Sequence, residues 1–242
     1  MIEHEIIPVF SRLWFIMNSI ALIVLFTIIS FGRKLTSNRA KVYLGVFIGV
    51  VLFVRCVITH PYQIYIGKWV LASSLPLHLC GISAILSSFL LFRFNQFLYE
   101  FLILLGIPGA IQSLVTPEFT LGIDSFFLVE YYVSHVGIIL SGLYLTFVLN
   151  KKPRIGSWKM VIIRFQIVLI GVHLINILLN SNYIYTRIKP LANNPLIIGD
   201  WPYYYIGFEV IGIFNIILFY YLFRNFSNKY NPIHKNEERV LT

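Results

Sequence analysis

The sequence predicts an all-α integral membrane protein with seven transmembrane helices. Three observations support this prediction: the composition, seven long apolar stretches, and the distribution of Lys and Arg between the loops. Of the 242 residues, 58% are hydrophobic and only 12% are charged, whereas about a quarter of the residues in a soluble domain are charged. Because so few charges cannot cover a soluble particle of this size, the apolar side chains require lipid around them.

Seven stretches are long enough to be transmembrane helices, which need about 20 mostly apolar residues. No linker or charge block divides the chain, so we expect one membrane domain, with a short cytoplasmic tail at residues 224–242. Pro76 and Pro108 predict a kink in the third and fourth spans. The predicted spans cover about residues 13–31, 42–58, 69–92, 97–115, 126–149, 160–180 and 204–223.

The orientation follows from the positive charges. Thirteen Lys and Arg residues lie on one side of the predicted spans, and four, namely Arg12, Lys68, Arg187 and Lys189, lie on the other. Cytoplasmic loops carry the excess of positive charge, so we expect the N-terminus outside and the C-terminus inside the cell membrane. The net charge of +9 is then mostly a cytoplasmic face that meets anionic lipid, and no nucleic-acid partner is expected.

Polar side chains within the predicted spans lie mostly in the outer half or near the midplane. Ionisable groups in lipid are costly and usually face a cavity or one another, so we predict a polar cavity that opens outward. The alternative is that these groups only connect helices by hydrogen bonds. Near the inner edge, Glu100 and Arg164 are expected to reach the interface. The residues predicted to bind substrate in the cavity include Arg55, His78, Gln112, Glu130, His173 and Glu209.

A cysteine and a histidine lie at matching depths in the third and fifth spans. Cys80 is about 16 Å and His135 about 14 Å below the outer helix ends. A thiol becomes a nucleophile only with a suitable base or cation nearby; His135 is the best-placed base, expected within about 4–5 Å of the sulfur. Alternatively, Cys80 is a small packing residue. His78 lies about 200° around the helix from Cys80 and should point elsewhere, unless Pro76 alters the turn.

The remaining candidates have competing interpretations. His78, His135 and His173 could hold a metal, because three histidines suffice for catalytic zinc, but no HxxxH or HxxE pair fixes two ligands on one face. We expect no metal and no cofactor, and Cys56 is expected to pack. Tyr183, in NYIYTR, and the segment GDWPYYYIGFE belong either to an interfacial aromatic belt or to a substrate site.

Four motifs occur in order along the chain. They are LPLHLC (75–80), the GIPGA…TP run (106–117), the histidine in YYVSHVGIIL, and the NY…KP…WPYY segment. Together they resemble the YwaF / transmembrane-protein-164 family, over roughly residues 40–225. The resemblance implies a seven-helix fold and, in the animal branch, a membrane acyltransferase that moves a fatty acyl chain between phospholipids through a cysteine thioester. The family's nucleophile falls on Cys80 and its histidine on His135.

The sequence therefore predicts an acyltransferase or lipid acyl hydrolase. Cys80 attacks a lipid ester carbonyl with His135 as general base, and the acyl group passes to a lysophospholipid or to water. The expected partners are this phospholipid or lysophospholipid and the surrounding membrane lipids. The alternative is a small-solute transporter or lipid-binding sensor that uses the same cavity without covalent chemistry. A transporter needs polar residues along the inner half as well, which this sequence lacks.

Overall fold

The computed structural model describes residues 5–190 and 199–230, which are mostly helical. Side-chain caps begin several of the helices: Ser11 accepts from the Trp14 N–H and Asp124 from the Phe127 N–H. The elements are β1 (Glu5–Ile6), α1 (Arg12–Lys34), α2 (Asn38–Tyr65), α3 (Leu71–Ser74), α4 (Leu79–Phe92), α5 (Gln96–Phe101), a π-helical turn (Leu102–Gly106), α6 (Ile107–Val115), β2 (Glu118–Phe119), α7 (Ser125–Phe147), α8 (Ser157–Leu178), a 3₁₀ turn (Tyr183–Tyr185) and α9 (Tyr203–Tyr230).

Six helical segments of the described chain are long and apolar enough to cross a membrane. They correspond to six of the seven predicted spans, although α2, with 28 residues, extends beyond the predicted range at both ends and continues through Pro61. α9 continues to Tyr230, beyond the predicted end at residue 223. Residues 191–198 of the predicted loop and 231–242 of the predicted tail lie outside the described residues.

The third predicted span is broken rather than kinked. It consists of the short α3, an irregular stretch at residues 75–78, and α4 with 14 residues. Pro76 lacks a backbone N–H, and its ring disfavours a helical conformation at the preceding residue. Leu75 is accordingly extended, with φ −67° and ψ 144°. The sequence located this interruption but underestimated it.

Pro108 in the fourth span is accommodated by a π-helical turn. Because Pro108 has no N–H and its ring crowds the carbonyl four residues earlier, the helix widens over Leu102–Gly106. The Ile107 N–H donates to the carbonyl of Leu102, five residues back. The helix therefore continues from Gln96 to Val115, and it ends before Thr116–Pro117 as the sequence predicts.

Contacts sort the ends of the helices into two groups. At one end, which we call the Trp14 end, the Trp14 indole donates to the Val115 carbonyl at 2.9 Å and Tyr62 donates to Asp124 at 3.0 Å. At the opposite end, the Lys41 end, the Tyr144 hydroxyl donates to the Lys41 carbonyl at 2.6 Å. The start of α1, the end of α2, the end of α6 and the start of α7 therefore lie at the Trp14 end, while the start of α2 and the end of α7 lie at the Lys41 end.

Helix α7 forms the centre of the bundle and packs against α1, α2, α4 and α6. Two glycines allow the close approach. A Cβ at Gly142 would lie 2.6 Å from the Ile107 side chain, and one at Gly137 would overlap Leu52. Large apolar side chains on the outer helices are exposed, for example Phe26 at 77% and Phe214 at 63%, as a lipid-facing surface requires.

A short antiparallel pair, absent from the all-α prediction, lies at the Trp14 end. Glu5 of β1 pairs with Phe119 of β2, Ile6 pairs with Glu118, and the Ile7 N–H donates to the Pro117 carbonyl at 3.2 Å. This pair fixes the N-terminal segment to the chain that follows α6.

The expectation that Glu100 reaches the interface is wrong. Glu100 is fully buried at the Lys41 end, where it forms an ion pair with Arg154 at 2.6 Å. The carboxylate also accepts from the Arg154 backbone N–H at 2.7 Å and from the Gln96 amide at 2.9 Å. A charge in this apolar setting is tolerated because it is paired and hydrogen-bonded. Arg164 lies with its guanidinium 4.2 Å from the Phe97 ring centroid.

Candidate active site

A cavity of about 660 Å³ enters the bundle from the Trp14 end, between α4, α6, α7, α8 and α9. Its volume is in the usual range for ligand pockets. Polar side chains line the part near the Trp14 end, including Gln63, His78, Cys80, Glu130 and His135. The Gln63 side chain is 7% exposed, and its Oε1 has no hydrogen-bond partner among the described residues.

The part of the cavity between α8 and α9 is mainly apolar. Ile162, Phe165, Ile216 and Phe219 line it together with Leu105. This part of the wall therefore offers mainly hydrocarbon side chains to a ligand.

Beside α6 the cavity is lined by two exposed residues. Ile111 and Gln112 line it and are exposed. The Gln112 amide donates to the Thr116 hydroxyl at 3.2 Å.

The interruption between α3 and α4 is stabilised by a tyrosine from a distant segment. In a continuous helix the Leu75 N–H would donate to the Leu71 carbonyl. Here the Tyr183 hydroxyl lies between them: it accepts from the Leu75 N–H at 3.0 Å and donates to the Leu71 carbonyl at 2.7 Å. Tyr183 is fully buried and is not among the cavity-lining residues, so the structure uses this predicted substrate residue to hold the break open.

Asn176 fixes the segment that carries Tyr183. This fully buried residue donates to the Tyr183 carbonyl and the Thr186 hydroxyl, and it accepts from the Ser181 hydroxyl and the Tyr183 N–H, each at 2.8 Å. All four hydrogen-bonding positions of the amide are thus used. The predicted cavity residue His173 contacts Thr186 at 3.0 Å and lies outside the cavity wall.

Cys80 lies in the first turn of α4, directly after the break. Its sulfur is 3.5 Å from the Ser113 hydroxyl. Ser113 donates its only hydroxyl hydrogen to the Gly109 carbonyl at 3.0 Å, so its oxygen accepts from the thiol. The hydrogen-bond partner of the thiol is therefore Ser113 and not His135.

His135, 7% exposed, lies on α7 and lines the same cavity. Its Nδ1 is 2.7 Å from the Tyr131 carbonyl. Because a carbonyl can only accept, Nδ1 carries the hydrogen, which leaves Nε2 as the basic nitrogen. The Tyr131 ring lies 4.1 Å from the imidazole, centroid to centroid, and its hydroxyl donates to the Ser113 carbonyl at 2.8 Å. Ser113 and Tyr131 thus connect the surroundings of Cys80 with those of His135.

His78 lines the cavity as well, contrary to the expectation from a regular helix, because residues 75–78 are not helical. Its Nδ1 accepts from the Ile184 N–H at 3.3 Å. The ring lies between Tyr183 and Tyr185, with centroid distances of 5.3 and 5.4 Å.

Two further predicted groups form polar pairs. Arg55 makes an ion pair with Glu130 and donates to the Cys56 sulfur at 2.9 Å; Glu130 lines the cavity whereas Arg55 does not. Glu209 also lines the cavity and accepts from the Gln166 amide at 2.8 Å.

The three-histidine metal alternative has no counterpart in the structure. Across residues 5–190 and 199–230, no group of three or more His, Cys, Asp or Glu side chains is placed to hold a metal ion. His78 and His135 line the cavity, but His173 is turned towards Thr186.

A comparison with known protein families identifies the family of this chain. The sequence model of the TMEM164 family matches residues 7–220. The chain belongs to the TMEM164 family. Neither the curated proteins nor the solved structures gave a match. The family match covers the whole cavity of this TMEM164-family chain, from Thr59 to Phe219, and it agrees with the resemblance drawn from the four motifs.

Sequence reasoning missed Gln63, which lines the cavity, and three further polar residues that build the site. Tyr131 lies four residues before His135, a spacing that places both on one face of a helix, so it could have been found. Ser113 has the same spacing from Gly109 but gives no sign that it faces Cys80. Asn176 could be recognised only as a polar residue within an apolar span, because its partners come from the following loop.

Proposed function

We propose that this TMEM164-family chain is an acyltransferase or lipid acyl hydrolase of the cell membrane, acting on phospholipid esters through a thioester at Cys80. The supporting observation is that Cys80 and His135 line one cavity, while the Tyr131 carbonyl leaves the His135 Nε2 free to accept a proton. A thiol and a nearby base are the two groups that nucleophilic acyl transfer requires. Family membership supports the same chemistry.

The first half-reaction forms the acyl-enzyme. When the substrate carbonyl enters, the Cys80 side chain turns from Ser113 towards His135, and the thiol proton moves to the His135 Nε2. The sulfur attacks the ester carbon, so that a sulfur–carbon bond forms and the ester carbon–oxygen bond breaks. The departing alkoxide of the lysophospholipid takes the proton from His135.

The second half-reaction returns the thiol. The hydroxyl of another lysophospholipid, or water, gives its proton to the His135 Nε2 while its oxygen attacks the thioester carbon. The carbon–sulfur bond then breaks, and the Cys80 sulfur recovers the proton. A lysophospholipid acceptor gives acyl transfer, and water gives hydrolysis.

The shape of the cavity suits a lipid ester. The apolar part around Phe165 and Phe219 accommodates the acyl chain, because burying hydrocarbon is favourable by about 0.8 kcal/mol per CH₂ group. The polar part holds the headgroup, and we place the entrance for the lipid beside Ile111 and Gln112, the exposed residues of the cavity wall on α6. This division favours an enzyme over a transporter, which needs a polar route through both halves.

We also propose that the broken third segment crosses the membrane, giving seven crossings with the Trp14 end outside. α4 alone spans about 21 Å, and α3 with residues 75–78 completes the path. The last residue of α4 precedes Arg93, which lies at the end of the bundle that also contains Lys41 and Lys151. Reporter fusions after residue 230 should show a cytoplasmic C-terminus, and an exported reporter contradicts this topology.

Acyl transfer tests the proposed function directly. Purified protein is placed in phosphatidylcholine vesicles with deuterated acyl chains and a lysophospholipid of a different headgroup. Mass spectrometry should then find deuterated chains on the acceptor, or free deuterated fatty acid. Cys80→Ser and His135→Ala should each reduce the rate at least 100-fold, as expected for losing a nucleophile or a general base.

Cys56→Ser is the matched control, because Cys56 is the other cysteine of the chain and does not line the cavity. It should retain at least half of the wild-type rate. A Cys80→Ser protein that transfers acyl chains at the wild-type rate contradicts the mechanism. Wild-type protein that neither transfers nor hydrolyses, yet binds lipid or carries a solute across the vesicle membrane, supports the sensor or transporter alternative.

A further inference from the structure

The two histidines of the cavity have opposite backbone partners. His135 Nδ1 faces a carbonyl, which can only accept, whereas His78 Nδ1 faces the Ile184 N–H, which can only donate. In neutral imidazole one nitrogen carries hydrogen and the other accepts. The hydrogen of His135 is therefore on Nδ1 and that of His78 on Nε2. His135 offers the cavity a base, and His78 offers it a hydrogen-bond donor.

The position of His78 relative to the thiol is fixed by the break. His78 is the N-cap residue that precedes α4, with φ −66° and ψ 151°, and its side chain makes no capping hydrogen bond. The first backbone bond of α4 runs from the Ile82 N–H to the His78 carbonyl, so the N–H groups of residues 79–81 precede the helix ladder. Gly81 permits this tight turn, because a Cβ there would lie 3.0 Å from Pro76.

Other groups show that this place is arranged for a ligand. His135 is 93% buried, since it is 7% exposed, and its Nε2 has no hydrogen-bond partner among the described residues. Gln63 has an unpartnered, buried Oε1 and lines the same cavity. A buried polar atom without a partner is costly. Both atoms are acceptors, so the partner they lack is a donor on the bound lipid, such as the hydroxyl of the lysophospholipid acceptor.

We propose that His78 is a further catalytic residue: its Nε2–H, together with the N–H groups at the start of α4, binds the ester carbonyl oxygen and stabilises the oxyanion. This inference rests on the proposed function. When the Cys80 sulfur bonds to the carbonyl carbon, the π electron pair moves to the oxygen, which becomes an anion. The electron pair re-forms the carbon–oxygen double bond when the alcohol leaves. Donors aimed at this oxygen lower the barrier for acylation and for deacylation.

Haloacetamide alkylation separates this role from positioning. Alkylation of Cys80 by iodoacetamide displaces iodide at a saturated carbon and forms no carbonyl oxyanion, whereas acylation by p-nitrophenyl decanoate does. Both rates can be followed on the purified protein, by intact mass and by nitrophenolate release. The background is Cys56→Ser, so that Cys80 is the only thiol.

His78→Phe keeps a ring between Tyr183 and Tyr185 and removes the donor. Acylation should fall about 100-fold, the effect of losing one oxyanion donor, while alkylation changes less than threefold. The amide of His78→Gln can donate from a similar position, so this variant should be acylated at least tenfold faster than His78→Phe. His135→Ala should slow both reactions, because it removes the base.

Each result has a defined meaning. Equal losses in acylation and alkylation for His78→Phe show that His78 only maintains the structure, which overturns the proposal. Unchanged acylation also overturns it, while the Cys80 and His135 mechanism survives. If the wild-type protein is alkylated at Cys80 but never acylated, the proposed function fails and takes this inference with it.

Discussion

Two polar regions inside the helix bundle differ in how their hydrogen bonds are satisfied. At the Lys41 end, the fully buried Glu100 receives bonds from Gln96 and from both the backbone and side chain of Arg154. In the cavity, the basic nitrogen of His135 and the amide oxygen of Gln63 have no partner within the described residues.

The difference teaches how a buried charge is stabilised in this bundle and where the cavity offers a polar atom to a ligand. A carboxylate with complete bonding is stable inside an apolar bundle, because its partners replace water. The Glu100 cluster therefore joins α5 to the segment before α8. The buried Oε1 of Gln63 lacks a partner among the described residues, and a donor on a bound molecule would offset the cost of burying it.

The largest effect on stability is expected at the Lys41 end. Arg154→Ala leaves the buried Glu100 with only Gln96 and one backbone N–H as donors. The free energy of unfolding, measured by titration with sodium dodecyl sulfate, should fall by about 3 kcal/mol, the lower range for a broken buried ion pair. The remaining folded protein should keep its acyl-transfer rate.

Arg93→Ala is the control, since Arg93 is an exposed arginine at the same end. Its effect should be within about 0.5 kcal/mol. An Arg154→Ala protein as stable as Arg93→Ala means that the Glu100 cluster does not stabilise the bundle.

An intermediate effect is expected at the break between α3 and α4. Tyr183→Phe deprives the Leu75 N–H and the Leu71 carbonyl of their partner, which should cost about 2 kcal/mol. Because the start of α4 depends on this break, acyl transfer should also fall, by about tenfold, which corresponds to about 1.4 kcal/mol. Tyr203→Phe, at a position 72% exposed, should change neither quantity. Retained activity in Tyr183→Phe shows that Cys80 is positioned without the inserted hydroxyl.

The smallest effect concerns the resting position of the thiol. Ser113→Ala removes the oxygen that accepts from Cys80, so the thiol is freer to turn towards His135. Alkylation of Cys80 by iodoacetamide should become about fivefold faster, equivalent to one hydrogen bond of about 1 kcal/mol. A tenfold slower reaction contradicts this role, because it shows that Ser113 activates the thiol.

Local apolar patterns predicted much of the fold. Long hydrophobic runs located the membrane-length helices, and Pro76 located the interruption of the third segment. Its full form depended on information from elsewhere in the chain: the hydroxyl that replaces the missing helix bond comes from Tyr183, more than 100 residues later, at a separation of 112 from Leu71. No local pattern contains such a contact.

The candidate site was also predicted only in part, because local patterns do not contain its long-range contacts. Depth along two helices selected Cys80 and His135, and both line one cavity. Helical geometry placed His78 on the opposite side, whereas the irregular turn brings it into the cavity wall. Arg55 and His173 share the predicted depth but lie outside that wall, because depth specifies a layer of the membrane and not the direction in which a side chain points. Tyr183, predicted in the following loop, also lies outside the wall.

Intact mass of the protein after incubation with phospholipid vesicles tests the thioester most directly. The Cys56→Ser protein should gain the mass of one fatty acyl chain. Hydroxylamine should remove this adduct at neutral pH, and peptide mapping should locate it at Cys80. The adduct should be absent from Cys80→Ser and should accumulate about 100-fold more slowly in His135→Ala. A wild-type protein that turns over phospholipid while Cys80 never carries an acyl group contradicts the account.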